Sequence, residues 1–423
     1  MLRNYITVAF RHLFRQKGFA IINISGLTIG LTVSALIILY IVHELGYDRF
    51  YENADRIYRV AINGEISGQA LDVAVTSPPF GPALFNDYPE VVGYTRIDHP
   101  QSALFAFGDE KYYEDDILFA DSSFFDFFTV PFLYGDPSTA LEVPGSIVLT
   151  ESVARKYFGK EYPVGKVLRY NDQADLTVTG VCTDYPDNSH FTFQALISFS
   201  SLREFRGERW LTTWGNFSMY NYIMLDDRAE LASLMAKMPD FIGAHMSDEI
   251  EGADIRIEVI LQPVTSIHLH SNLVAEIGNN SDISYIYILM AITLFILMLA
   301  SINFMNLSTA KSASRAREVG IRKVVGSSRQ HLIRQFIGES VIISLISLII
   351  TFFLIELILP SFNSITDKNL DMRYILDWQI TLGFILLAIL VGIFAGSYPA
   401  FYLSAFNPIR VLQGRMKAAS SNR

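Results

Sequence analysis

Residues Gly159–Val167 read GKEYPVGKV, two glycines and a lysine of the kind that cradle a phosphate. The spacing defeats that chemistry. Five residues separate the glycines where a phosphate loop has four, and Val167 follows Lys166 where a magnesium-holding hydroxyl is needed. No other such loop occurs in the sequence, so the chain is expected to lack its own nucleotide hydrolysis and to be no enzyme. His268 and His270 would place two imidazoles on one face of a strand, but no third ligand has recognisable spacing. A structural role at a strand edge is the preferred reading, and no metal or cofactor is expected. His43-Glu44 lacks the second histidine of a zinc-protease helix. Glu339 and Glu356 lie inside apolar runs, where snorkelling or helix pairing outweighs a proton relay. Asn303 and Asn306, three apart in another run, suit hydrogen bonds between helices.

These residues sit in a chain of 423 residues that is 51% hydrophobic, with a mean hydropathy of +0.29. The excess is concentrated in four runs, at 19–43, 283–309, 335–359 and 377–403. About 20 residues of helix cross a hydrocarbon layer about 30 Å thick, so each run is long enough to span. The first is too long for a signal peptide, and no small-residue cleavage site follows it, so it should remain as an anchor. Residues 44–282 carry 16 Lys and Arg against 37 Asp and Glu, whereas the N-terminus, 310–334 and the tail are basic. By the positive-inside rule both termini and the 310–334 segment are cytoplasmic and 44–282 is outside. The overall net charge of −10 comes from that outer domain and carries no implication of nucleic-acid binding. A single cysteine, Cys182, allows no disulfide within the chain. The outer compartment is therefore expected to be a periplasm.

The expected division is a cytoplasmic amphipathic helix at 1–18, spans at 19–43, 283–309, 335–359 and 377–403, and an outer domain at 44–282. A cytoplasmic segment at 310–334, a short outer loop at 360–376 and a cytoplasmic tail at 404–423 complete it. Residues 2–16 put Leu2, Tyr5, Ile6, Ala9, Phe10, Leu13 and Phe14 on one face, as an interfacial helix would. The outer domain reads as α/β. SIVLTES, LTVTGV, YNYIML and DIRIEVILQPV are strand candidates, while SVARKYFG and ELASLMAKMPDFIGAHM have helical patterning. The aromatic run FFDFFTVPFLYG at 124–135 is taken as core. Gly26, Gly30 and Ser34 form a small-residue stripe in the first span; Ser340, Ser344 and Ser347 form one in the third, and Gly392 and Gly396 in the fourth. Such stripes need helical partners. Assembly with a second copy, or beside a second membrane half of the same kind, is expected.

Between the second and third spans lies REVGIRKVVGSSRQHLIR, residues 317–334. A topological anchor needs only its lysines and arginines. Val319, Ile321, Val324 and Val325, interleaved with the charges and broken at Gly326, also suit insertion into a groove on a cytoplasmic partner. Spacing alone leaves the two readings level.

AREVGIRKVVGSSRQHLIRQFIGES resembles the cytoplasmic segment of MacB/FtsX-like ABC transporter permeases. YDRFYENADRIYRV at 47–60, SIVLTESVARKYFGKEYPVGKVL at 146–168 and GSYPAFYLSAFNPIRVL at 396–412 resemble other parts of that family, in the same order. The resemblance covers essentially the whole chain. It implies an α-helical membrane protein with four transmembrane helices and a large α/β (α+β) periplasmic domain inserted between the first and second. It also implies a bacterial inner-membrane location and a separate cytoplasmic ABC ATPase that drives movement of the periplasmic domain. Arg317, Glu318, Val319, Gly320, Ile321, Arg322, Lys323 and Gly326 match the ATPase-docking segment. The roles expected are charge pairing by Arg322 and Lys323, groove filling by Val319 and Ile321, and helix termination at Gly326. A periplasmic adaptor or effector and membrane lipids are further partners. Many relatives are about twice as long, so this chain either pairs with itself or is half of a longer polypeptide. Export or envelope transport of a periplasmic substrate is the first functional expectation. Signalling to a periplasmic partner such as a wall hydrolase is the alternative, and a tethered binding protein without an ATPase is the third.

Overall fold

The computed structural model describes residues 17–66, 68–247, 255–310, 319, 321 and 323–405. The chain divides into two units: residues up to His43 together with those from Ser284 onward, and residues Glu44–Ile283.

The Glu44–Ile283 unit is built on one mixed sheet. Its strands are β1 (Ile57–Ile66), β2 (Gln69–Ala70), β3 (Val91–Phe107), β4 (Glu110–Ala120), β5 (Phe132–Tyr134), β6 (Ser146–Thr150), β7 (Val167–Tyr170), β8 (Ala174–Cys182), β9 (Ala195–Ser198), β10 (Tyr220–Leu225) and β11 (Ile255–Pro263). They run in the order β11-β1-β10-β3-β4-β9-β6-β8-β5, with β2 on β1 and β7 bridging β3 and β8. The β4–β9 and β6–β8 pairs are parallel and the others antiparallel. SIVLT, ALIS and YNYIML are buried along their whole length, which is why they read as continuous apolar runs.

Two cores form on this sheet. One gathers Ile57, Phe80, Phe124, Phe127, Phe128, Tyr222 and Phe241, around the helices Phe80–Asp87 and Met238–His245. The other gathers Phe105, Phe119, Ile147, Leu149, Leu176 and Ile197 under the helix Glu151–Phe158. That helix buries Val153, Ala154, Tyr157 and Phe158, and Gly159 ends it at φ +60°, where a side chain would be strained. The aromatic run at 124–135 contributes Phe124, Phe127 and Phe128 to the first core, as expected of packing residues. One reading fails: His268 and His270 lie on a helix, Val264–His270, and not on a strand. Strand β11 stops at Pro263, which has no N–H for the ladder, and the chain turns into helix. Two residues apart on a helix, the imidazoles diverge; His268 is buried and His270 exposed.

Among the described residues, the other unit contains four helices long and apolar enough to cross a membrane: α1 (Lys17–Leu45), α2 (Ile283–Ala310), α3 (Arg329–Thr366) and α4 (Trp378–Ser404). Helix α3 is longer than its apolar run. Ser328 caps it by accepting from the His331 N–H at 3.3 Å, so the helix starts six residues before position 335. It also continues through Pro360 to Thr366 and ends on Asp367 at φ 52°.

The small-residue stripes touch helices of this same chain. A Cβ at Gly30 would lie 2.6 Å from the Ala300 Cβ, and one at Gly26 3.0 Å from the Asn303 Nδ2. One at Gly392 would lie 2.7 Å from the Val341 Cα, and one at Gly396 2.5 Å from the Ser340 Oγ. Ser344 donates to the Ala388 carbonyl at 2.7 Å, Ser347 to the Ile24 carbonyl at 3.3 Å and Thr351 to the Thr28 carbonyl at 3.3 Å. Ser34 is fully buried. Small side chains here let helix backbones approach closely, and hydroxyls stitch them together.

Candidate partner-docking site

Between α2 and α3, Val319 and Lys323 are seated on α3 and α4. Val319 is buried with Leu332 and Phe336 of α3 and Ala400 and Leu403 of α4. Lys323 donates from Nζ to the Ser404 carbonyl at 2.6 Å, and Arg329 Nε lies 3.4 Å from the Ser404 Oγ. The last carbonyls of a helix have no partner within it and carry its negative pole, so a lysine there both satisfies and neutralises that end. Burial, and then the neighbouring Arg329, lower the Lys323 ammonium from its ordinary value.

A short turn of helix runs on from there. Val325 N–H donates to the Ile321 carbonyl at 3.1 Å and Gly326 N–H to the Lys323 carbonyl at 3.1 Å. Gly326 has φ +101° and terminates the turn, a conformation that glycine alone adopts without strain. Ile321, Val324 and Val325 are 51%, 66% and 82% exposed. They stand at i, i+3 and i+4, so they share one face.

This geometry redistributes the expected roles. Val319, expected to fill a partner's groove, is instead the residue that seats the segment. Lys323, expected to pair with acidic groups of a partner, is engaged by Ser404. Val324 and Val325 join Ile321 as the outward apolar face. Arg317, Glu318, Gly320 and Arg322 lie outside the described residues, as do the amphipathic stretch 2–16 and the tail beyond 405.

Another constellation lies wholly within the Glu44–Ile283 unit, on the motif YDRFYENADRIYRV. Tyr47 stacks on His268 with ring centroids 3.4 Å apart, and His268 Nε2 lies 2.8 Å from the Glu44 Oε2. Asp48, fully buried at φ 58°, accepts from the His190 N–H at 3.1 Å and lies 2.8 Å from the His190 Nδ1. His190 Nε2 lies 2.8 Å from the Tyr222 hydroxyl, while Ser189 donates to Asp48 at 2.9 Å and contacts the Tyr51 hydroxyl at 2.8 Å. Burial holds the Tyr51 and Tyr222 hydroxyls well above their usual value, so both stay protonated. Arg59, fully buried, pairs with Glu276 and donates to the Gln262 and Ser271 side chains at 2.7 and 2.8 Å. Burial pushes the Glu276 carboxyl up, but the Arg59 hydrogen bond and charge, with Ser271, bring it below its ordinary value.

These pairings engage Tyr47, Asp48, Tyr51 and Arg59 of the motif inside the unit, so their chemistry is that of a lock. Residue types alone could not reveal this, because Asp48 is far from His190 in the chain and Arg59 far from Glu276. The phosphate-like GKEYPVGKV stretch is similarly committed. Its Lys166 pairs with Glu161 and lies over the Phe107 and Phe158 rings at 5.4 and 5.1 Å.

Two family descriptions match the sequence. The MacB-like periplasmic core domain matches residues 20–241, and the FtsX-like permease C-terminal region matches residues 290–408. An uncharacterized ABC transporter permease, YknZ, of Bacillus subtilis is 22% identical over 267 residues, which are 63% of this chain and 61% of the relative. A macrolide export ATP-binding/permease protein MacB of Bdellovibrio bacteriovorus is 22% identical over 276 residues, 63% of this chain and 38% of the relative. The chain thus spans less than two thirds of the length of these relatives. A solved permease-protein domain from Porphyromonas gingivalis is 23% identical with a TM-score of 0.47, covering 57% of this chain and 98% of the domain.

Proposed function

The chain belongs to the MacB/FtsX-like family of ABC transporter permeases, and from that premise we propose that it is the membrane subunit through which a separate ATPase acts on a periplasmic domain. The observation that carries this reading is the exposed Ile321, Val324 and Val325 face on a segment seated by Val319 and Lys323. An apolar helical face beside fixed charges suits insertion into a groove on a cytoplasmic protein. Four long apolar helices make the chain a multi-pass membrane protein. We place it in a bacterial inner membrane, with the docking segment and both termini in the cytoplasm and residues 44–282 in the periplasm. The charge asymmetry between the basic flanks and the acidic domain supports this orientation. No phosphate loop occurs in the sequence, so ATP hydrolysis is assigned to the partner chain. The work done is export or envelope transport of a periplasmic substrate, with a second permease copy or half completing the assembly.

The test is retention of the ATPase through purification from native membranes, with the bound subunits identified by mass spectrometry. Val324→Asp with Val325→Asp should reduce ATPase affinity about tenfold or more, since burying each valine contributes about 1.5 kcal/mol. Both positions are exposed, so the folded chain should accumulate normally. Unchanged retention and unchanged stimulation of ATP hydrolysis in that variant would overturn the reading.

A further inference from the structure

A cleft of about 720 Å³ in the Glu44–Ile283 unit opens where its two cores meet. Its apolar lining includes Pro79, Pro82, Leu141, Phe199, Leu211 and Trp214. Phe199 and Leu211 belong to one core, and Leu141 and Trp214 to the other. The volume falls in the range of sites that enclose a drug-sized molecule or a few residues of peptide, about 300–1,000 Å³.

The charges around the cleft are not balanced. Two guanidinium groups line it, and both are spent on neighbours. Arg96 grips Asp121 with two bonds, Nε to Oδ2 at 2.8 Å and Nη2 to Oδ1 at 2.9 Å, and lies 3.9 Å over the Phe199 ring. Arg203 pairs with Glu208 at 2.6 Å. The remaining lining carboxylates, Glu142 and Glu204, are exposed and make no ion pair among the described residues. An anionic ligand would meet four lining carboxylates against two guanidinium groups, each already paired. A ligand with positive charge and apolar body would find two carboxylates beside a floor of proline, leucine and aromatic rings.

We propose that this cleft binds a short segment of cationic, aromatic-containing peptide, its basic side chains toward Glu142 and Glu204 and its apolar side chains on Phe199 and Leu211. Peptide is favoured because Phe199 and Trp214 line the cleft, and aromatic-lined grooves are surfaces on which extended peptide segments dock. The inference does not depend on ATPase docking, since binding is read on the full chain without a partner.

The test uses the full-length protein in nanodiscs and a fluorescent Lys-Phe-Lys-Phe peptide, followed by anisotropy, with Gln-Phe-Gln-Phe and Glu-Phe-Glu-Phe as counterparts. The lysine peptide should bind more tightly than the glutamine peptide, and its affinity should fall as salt rises. Glu142→Gln with Glu204→Gln should weaken the lysine peptide about fivefold, the scale of two exposed ion pairs, and leave the glutamine peptide unchanged. Leu211→Ser, at a partly buried position on the wall, should weaken both. Thermal unfolding of each variant shows whether the fold is kept. Equal affinity for the glutamate peptide, or an unchanged lysine affinity in a folded double-glutamine variant, overturns the proposal. A small cationic amphiphile that binds at the same carboxylates while the peptide does not would overturn the choice of peptide.

Discussion

Asp98 is 4% exposed on β3 and pairs with Arg206 at 2.8 Å, yet burial outweighs that partner and raises its carboxyl from 3.8 to about 6. The folded state therefore holds a proton that the unfolded chain has lost between those two values. This contribution to stability is complete below pH 3.8 and is lost as pH rises through about 6. Going from pH 7.5 to 5 should stabilise the wild-type domain by about 1 kcal/mol more than it stabilises Asp98→Asn. Denaturant melts of both proteins, followed by tryptophan fluorescence at the two pH values, check this; parallel pH responses would remove the carboxyl as the source. Nothing in the sequence around Asp98 distinguishes it from the many exposed carboxylates of an acidic domain. Its burial depends on the helix that brings Arg206 across from more than a hundred residues away. The same holds for Val319 and Val325. Both are valines in one basic segment, and only the ends of α3 and α4 decide that the first points in and the second out.

At the scale of elements, the apolar runs were legible because period and length act locally. Twenty or more apolar residues form a helix whatever surrounds them, and the β-branched runs 146–150, 174–182 and 220–225 appear as strands. The errors lie where one element's end depends on a neighbour or on a cap. Ser328 starts α3 early, and Pro263 ends β11 just before His268. The stripes were legible as contact surfaces, but their partners were not, because a sequence does not say whether the facing helix belongs to the same chain. The Gly392 contact allows a quantitative check. A Cβ there meets the Val341 backbone, which cannot rotate away as a side chain tip can. Gly392→Ala should therefore push α3 and α4 apart and cost about 1–3 kcal/mol, as overpacking does. Gly383→Ala, on the same helix with open space around it, should be neutral or stabilising. Thermal unfolding in detergent compares them; equal melting temperatures would mean that the helices part without cost.

For the whole molecule, the distribution of charge supports the proposed orientation. Residues 44–282 hold 37 of the 43 acidic residues, whereas the proposed docking segment and both terminal flanks are basic. Short basic flanks are retained on the cytoplasmic side, and acidic residues contribute little to the choice, so the flanks decide and the domain follows. The native cysteine makes this testable with little background. Cys182 is the single cysteine, it is fully buried, and burial pushes its thiol up to about 12, so an aqueous maleimide should leave it unmodified. Tyr162 and Val325 are 62% and 82% exposed, one in each unit, and either can be replaced by cysteine without disturbing a core. With a membrane-impermeant maleimide on intact spheroplasts, Tyr162→Cys should label fully, and Val325→Cys only after permeabilisation. Labelling of both from outside would place the docking face beyond reach of any cytoplasmic ATPase and remove the proposed coupling. Adding the ATPase to permeabilised spheroplasts refines the result: it should slow labelling of Val325→Cys and leave Tyr162→Cys unaffected. Protection confined to position 325 separates a docked partner from a general loss of access.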